Sequence, residues 1–145
     1  MDKTKLHIIK RALEDYGTQA KPGTENDQKV LSYFNKAGHV EVKDDEIPWC
    51  SAFANAVLKD LELPTTGSLS ARSFLQIGEL AQVAEMGDIV VLWRERLTSW
   101  KGHVGFYIRH DEKFVWLLGG NQNNEVNISK FPIERILAIK SIIIK

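Results

Sequence analysis

The stretch GHVGFYIRHDEKFVWLLGGNQ, residues 102–122, decides the fold. Two runs of β-branched and aromatic residues, Val104–Ile108 and Phe114–Leu118, flank the polar triplet Asp111, Glu112 and Lys113. This is the pattern of two antiparallel strands joined by a three-residue hairpin loop. With such a loop His110 pairs with Phe114, and counting back along both strands sets His103 opposite Asn121. Val104, Phe106, Ile108, Trp116 and Leu118 then share one face. Gly105 and Gly119 fall on the His103 face, where missing side chains would let a helix approach.

Downstream, Ile136–Ile144 is another run of strand composition, and upstream Ile89–Trp93 is a third. Before residue 80 the period changes. Leu6, Ile9, Leu13 and Tyr16 recur at helical spacing, which predicts an amphipathic helix over residues 2–16, followed by a loop of turn formers from Gly17 to Gly23. A second helix is expected from near Asn26, with Val30, Leu31 and Phe34 apolar. A polar stretch from Gly38 to Glu46 leads to Pro48. From there Phe53, Ala54, Val57, Leu58 and Leu61 trace a third helix that ends before Pro64. Ser70–Gly78 suits a shorter helix with a glycine at its end. Helices first and strands second predict an α+β domain, with N-terminal helices packed on a C-terminal antiparallel sheet.

The 145 residues are the length of one domain, so residues 1–145 are read as a single unit. Nineteen Lys and Arg balance nineteen Asp and Glu, which leaves no basic excess to serve as a nucleic-acid footprint. The longest apolar runs fall far short of the roughly 20 residues of a membrane-spanning helix. The N-terminus lacks an apolar block before a small-residue cleavage site, so no secretory leader is expected and the chain is read as made in the cytoplasm. A lone cysteine excludes an internal disulfide and a zinc site built on several thiolates, and no HExxH motif occurs. Neither metal nor cofactor is expected. Asp44, Asp45 and Glu46 lack the spaced alternation of a calcium loop and read as a solvated acidic turn.

Cys50 follows Pro48 closely, which puts it in the first turn of the third helix. Unpaired backbone amides and the helix dipole there favour a thiolate. Its other reading is a small buried hydrophobe beside Trp49. A thiolate mechanism needs a base. His7 falls off the apolar stripe, His39 is in a polar loop and His110 is at a turn, so all three read as solvated. His103 begins a strand. Asn121, its expected cross-strand neighbour, could fix the ring's tautomer as the third member of a Cys-His-Asn arrangement, or could simply be a turn residue after two glycines.

Four segments in order carry a resemblance: Pro48-Trp49-Cys50-Ser51-Ala52-Phe53, Gly87-Asp88-Ile89-Val90-Val91, Gly102-His103-Val104-Gly105-Phe106-Tyr107 and Gly119-Gly120-Asn121-Gln122. Together with the stretch from Gly67 to Gly78, they resemble the CHAP and NlpC-type papain-like amidases and peptidases. The likeness is strongest to a compact subgroup of phage lysins and interbacterial toxins, and it covers about residues 5 to 140. It implies a papain-like fold, Cys50 as nucleophile, His103 as base and Asn121 as the orienting residue. It also implies cleavage of a peptidoglycan amide through a thioester, with the Cys50 amide as first oxyanion donor. The implied substrate is the stem peptide or its junction with the glycan, and Trp49, Trp93, Trp100 and Gln122 are candidates to contact it. For the three tryptophans the alternative is core packing. Action at the wall or periplasm would then need non-classical delivery, and an injected toxin would be accompanied by a small cognate immunity protein. Two other functions stay open: a cysteine acyltransferase or deamidase on the same scaffold, and a catalytically silent wall-binding or immunity-type module.

Overall fold

The computed structural model describes residues 3–20, 25–39 and 48–142. The acidic turn Asp44–Glu46 lies outside them. Helices α1 (Lys3–Leu13), α2 (Glu25–Lys36) and α3 (Cys50–Asp60) come first, then a 3-10 helix at Ala71–Gln76. Strands β1 (Glu79–Leu80), β2 (Ile89–Trp93), β3 (Gly102–His110), β4 (Phe114–Gln122), β5 (Glu125–Pro132) and β6 (Ile136–Ser141) follow. They form one six-stranded sheet in the order β1-β6-β2-β3-β4-β5, and every neighbouring pair is antiparallel. The α+β class is therefore as expected. No helix among the described residues is long and apolar enough to cross a membrane.

Helix α3 is the central element. All residues from Cys50 to Leu58 are buried, because α3 sits between α2 on one side and β3 and β4 on the other. Phe53 and Val57 join Ile89, Val91, Val104, Phe106 and Leu118 in the main core. Val90, Leu92, Tyr107, Val115 and Leu117, which alternate with those strand residues, form a smaller cluster on the opposite face.

The first helix corrects the expected stripe. Leu6, Leu13 and Tyr16 are exposed, and the buried face is Lys5, Ile8, Ile9 and Ala12. The reason is Lys5. Its ammonium reaches Glu85 at 2.7 Å and the fully buried Asp88 at 2.9 Å, so a charged residue occupies a position that an apolarity count assigns to solvent.

Strand β5 was not anticipated. Its residues EVNISKFP carry no continuous apolar run, and the ladder to β4 holds it at the sheet edge. A hairpin signal does precede it: Asn123 and Asn124 both have positive φ, 58° and 62°, between the paired Gln122 and Glu125. That is the two-residue turn that asparagine favours.

The β3–β4 register also differs at its loop end. His110 pairs with Val115 rather than Phe114, and a bulge between Tyr107 and Arg109 then restores the expected alignment at Tyr107↔Leu117 and Phe106↔Leu118. The glycine expectation changes as well. A Cβ on Gly105 would meet the Leu117 side chain, whereas one on Gly120 would stand 2.6 Å from Phe53 Cβ and 2.8 Å from the Trp49 ring. Helix α3 thus approaches the sheet at Gly120, on the face opposite to Gly105 and Gly119.

Candidate active site

Cys50 is the first residue of α3, with Trp49 as its N-cap (φ −123°) and no side chain capping the end. The first intrahelical bond runs from the Phe53 amide to the Trp49 carbonyl, so the amides of Cys50, Ser51 and Ala52 precede the helical ladder. The His103 ring and the backbone amides of Val104 and Ser51 stand close enough to the Cys50 sulfur to act on its ionisation. Burial alone would push the thiol pKa up. The charge and hydrogen bond of His103, helped by those amides, outweigh burial and hold it below the ordinary thiol value.

His103 mirrors this. Burial opposes its charged form, but the charge and hydrogen bond of Cys50, with a further hydrogen bond to Gln122, raise its pKa above the ordinary imidazole value. The two shifts describe one coupled pair, in which each group favours the charged form of the other. The ring is packed against Phe131, with centroids 4.9 Å apart.

The residue that fixes the ring is Gln122. Its Oε1 stands 2.9 Å from His103 Nε2. Its Nε2 donates to the Leu117 carbonyl at 3.1 Å and the Asn127 carbonyl at 2.8 Å. Both partners can only accept, so the amide cannot be turned round, and Oε1 must be the end that faces His103. It follows that His103 Nε2 carries a hydrogen and donates it. Nδ1 is then the nitrogen left to take the thiol proton.

The orienting role expected of Asn121 thus falls geometrically to its neighbour. Between Gly119 and Gln122 the β4–β5 register slips by one residue, with Asn121 in the left-handed conformation at φ 56°. Simple alternation would turn Asn121 toward the His103 face. The bulge turns Gln122 there instead, and Gly119 leaves the room it needs, since a Cβ on Gly119 would stand 2.5 Å from Gln122 Oε1. Gln122, expected to contact substrate, is itself buried beneath the histidine.

Asn127 was missed by sequence reading. Its carboxamide accepts from Gln122 Nε2 at 3.0 Å and from Ser129 Oγ at 2.6 Å, and donates to the Gln122 carbonyl at 2.9 Å. On the other side of Cys50, Ser51 donates to the Ser68 carbonyl at 2.6 Å, and Asn55 holds Thr66 and Ser68. Polar side chains on α3 thereby fix the segment that leads into the wall beside Cys50. The only advance signal was the richness of Ser, Thr and Asn in those segments.

Two cavities adjoin the pair, one lined by His103 and the other by Cys50. One of about 290 Å³ is lined by His103, Asn121, Gln122, Asn123, Trp93, Arg94, Phe131 and Arg135. A smaller one of about 150 Å³ is lined by Cys50, Pro48, Leu69, Ala71 and Trp100, with Arg94 reaching it as well. Trp93 and Trp100 therefore stand where substrate contact is feasible, and Trp100 is 76% exposed. Trp49 is not so placed: it is fully buried, stacked on Tyr33 at 5.8 Å and pressed against Gly120. Of the other histidines, His7 and His110 are exposed, and His110 Nδ1 pairs with the Tyr107 hydroxyl. His39 is half-buried, with Nε2 2.9 Å from the Gly67 carbonyl, so it is not free in solvent as expected. Among the described residues no group of three or more His, Cys, Asp or Glu could hold a metal ion.

Comparison with known proteins adds no assignment: no family model matches the chain, and no curated protein matches it.

Proposed function

We propose that this chain is a cysteine-dependent hydrolase of papain-like design that cleaves an amide bond of peptidoglycan through a thioester. One observation carries the chemistry: a thiol at a helix start, beside a buried histidine whose Nε2 is held by Gln122. The four-segment resemblance to peptidoglycan amidases and peptidases supports the substrate class.

The Cys50 sulfur attacks the amide carbonyl carbon, and the carbonyl becomes an oxyanion with the Cys50 backbone amide as its first donor. His103 Nδ1 gives its proton to the departing amine as the C–N bond breaks. Water then adds to the thioester while His103 takes a proton from it, and the C–S bond breaks to release a carboxylic acid and restore the thiol. Gln122 accepts from Nε2 throughout, which favours the charged ring before amine departure. Small-molecule cofactors have no step in this scheme. Such a hydrolase would suit a phage lysin or an antibacterial effector with a cognate immunity protein.

The test is mass spectrometry of purified peptidoglycan fragments incubated with wild-type protein and with Cys50→Ala. Defined fragments released only by the wild type are expected. Intact substrate in both samples would refute hydrolysis. Products in which an added amine replaces water would convert the reading to acyl transfer on the same thioester.

A further inference from the structure

Most basic side chains near other elements have visible partners. Lys5, Arg11, Lys29, Lys36 and Lys101 each reach a carboxylate. Arg72 directs its guanidinium at the carbonyls of Lys101, Leu97 and Arg96, and Arg109 stacks over Trp116 at 3.8 Å. Arg94 and Arg135 differ in where they stand, although Arg135, like Arg109, lies over a tryptophan. Neither has a carboxylate partner among the described residues, and both line the larger cavity beside His103, whose lining contains no Asp or Glu. Arg135 is positioned by Trp93: its guanidinium lies 5.4 Å from the ring, and the indole is tethered through Nε1 to the Glu134 carbonyl at 3.3 Å. Stacking of this kind orients a guanidinium and leaves its in-plane N–H groups available.

The chemistry assigns a direction to this cavity. The proton that expels the amine comes from His103, so the amine-side fragment departs on the His103 side of the sulfur and the acyl fragment stays beside Cys50. We infer that the cavity lined by Arg94 and Arg135 holds a carboxylate on the amine-side residue of the substrate. This rests on the hydrolase reading above and narrows it. An amide whose amine-side residue keeps a free carboxylate fits, as at bonds within the stem peptide or its cross-link. The amide joining muramic acid to alanine does not, since that alanine's own carboxyl is tied up in the next peptide bond. The chain is accordingly an endopeptidase rather than an amidase at the glycan junction. Arg94 also acts on the base electrostatically: its charge opposes the imidazolium, though burial opposes it more. A bound carboxylate would offset that repulsion and favour the acid form needed to expel the amine.

The experiment uses pairs of synthetic stem-peptide fragments, one pair for each amide bond of the stem and cross-link. Members of a pair differ only in a carboxylate or a carboxamide on the amine-side residue. kcat/KM is measured for wild type, Arg94→Gln, Arg135→Gln and the double variant, with Cys50 alkylation as an activity-independent check on the site. For the pair that is cleaved, wild type should prefer the carboxylate by about tenfold or more, the order expected of a charge-assisted hydrogen bond. The ratio should fall toward one in the double variant. Should that variant fail to fold, the wild-type preference must itself shrink as ionic strength rises. A wild-type ratio near one, or a preference indifferent to both the arginines and salt, overturns the carboxylate site and leaves the hydrolase standing. Failure to cleave any fragment while Cys50 still alkylates rapidly overturns the hydrolase reading and this inference with it.

Discussion

Replacing Gln122 by Ala separates it from Asn121 as the residue that holds the His103 ring. The substitution removes the bond to His103 Nε2 and three bonds made by the amide nitrogen, to the Leu117 carbonyl and to two oxygens of Asn127. Only the first bears on chemistry. A hydrogen bond to a charged group contributes about 1.5–3 kcal/mol. At about 1.4 kcal/mol per factor of ten, turnover should fall roughly ten- to a hundredfold. Because the Gln122 bond helps to raise the His103 pKa, its loss weakens the imidazolium and lets the Cys50 thiol pKa climb back toward its ordinary value. The assay is the rate of iodoacetamide alkylation of Cys50 against pH, read beside peptidoglycan turnover. The buried Leu117 carbonyl and the part-buried Asn127 carbonyl also lose a donor, for up to about 1–3 kcal/mol each, so the measurement belongs well below the variant's melting temperature. Asn121→Gly is the control, since glycine accepts the left-handed backbone at no cost, and its alkylation profile should match wild type. A wild-type profile for Gln122→Ala, or a loss of reactivity in Asn121→Gly, would refute the assignment.

Removing the proposed base, His103→Ala should slow turnover on the order of 10²-fold or more and, because burial then acts with less opposition, move Cys50 alkylation to pH values at or above those of an unperturbed thiol, about 8.5. Gly120→Ala forces a Cβ against Phe53 and the Trp49 ring, so it should cost about 1–3 kcal/mol in urea unfolding and also slow alkylation, because the α3 start must shift. Asp15, which is buried, is met by Lys29 at 2.9 Å, Arg11 at 3.3 Å and the Tyr33 hydroxyl at 2.8 Å, and these outweigh burial to hold its pKa below the ordinary carboxylate value. Its folded pKa is below its unfolded one, so its stabilisation is complete above about pH 3.9 and disappears as pH falls through the folded value. The gap in urea midpoint between wild type and Asp15→Asn should therefore be open at pH 7 and close in strong acid.

The legible parts of the fold were those set by strong apolar periodicity. Helix α3 and strands β2, β3 and β4 begin and end within a few residues of where their patterns place them. Legibility failed where a polar residue took a core position or where the backbone departed from regular alternation. Lys5 is buried because Glu85 and Asp88, about 80 residues away in sequence, come to meet it, and no local count can register that. At the candidate site, the sequence pointed to Cys50 from its place at a helix start and to His103 by elimination among the histidines, and the structure sets the two side by side. The third member was displaced by one residue, because a bulge inverts the alternation that the prediction assumed. The signal was present in Gly119-Gly120-Asn121, which is turn chemistry inside a strand, and such a sequence is a warning that side chains beyond it have changed face.

The glycines of the four segments show that a motif around a nucleophile mixes two duties, and the duties can be separated experimentally. Gly87 has φ 97°, and a Cβ there would stand 2.6 Å from the Lys5 carbonyl oxygen, so it permits α1 to cross the turn before β2. The adjacent Asp88 accepts from Ser141 Oγ at 2.7 Å and from the Glu85 amide at 2.8 Å as well as meeting Lys5, which ties β2, β6 and α1 together far from the chemistry. Gly119 has the other duty. A Cβ there meets the far end of the Gln122 side chain, 2.5 Å from Oε1, and no backbone atom closer than 3.4 Å. Gly119→Ala can therefore be relieved by swinging the carboxamide away from His103, whereas Gly87→Ala must displace backbone and adopt a strained φ. Gly87→Ala should lower stability by about 2 kcal/mol or more and leave the pH dependence of Cys50 alkylation in the folded protein unchanged. Gly119→Ala should do the reverse, with a smaller change in unfolding and a thiol pKa raised as in Gln122→Ala. If both substitutions moved stability and alkylation in the same proportion, the division between framing and orienting glycines would be wrong. Gly119 would then act through the sheet rather than through the room it leaves for Gln122.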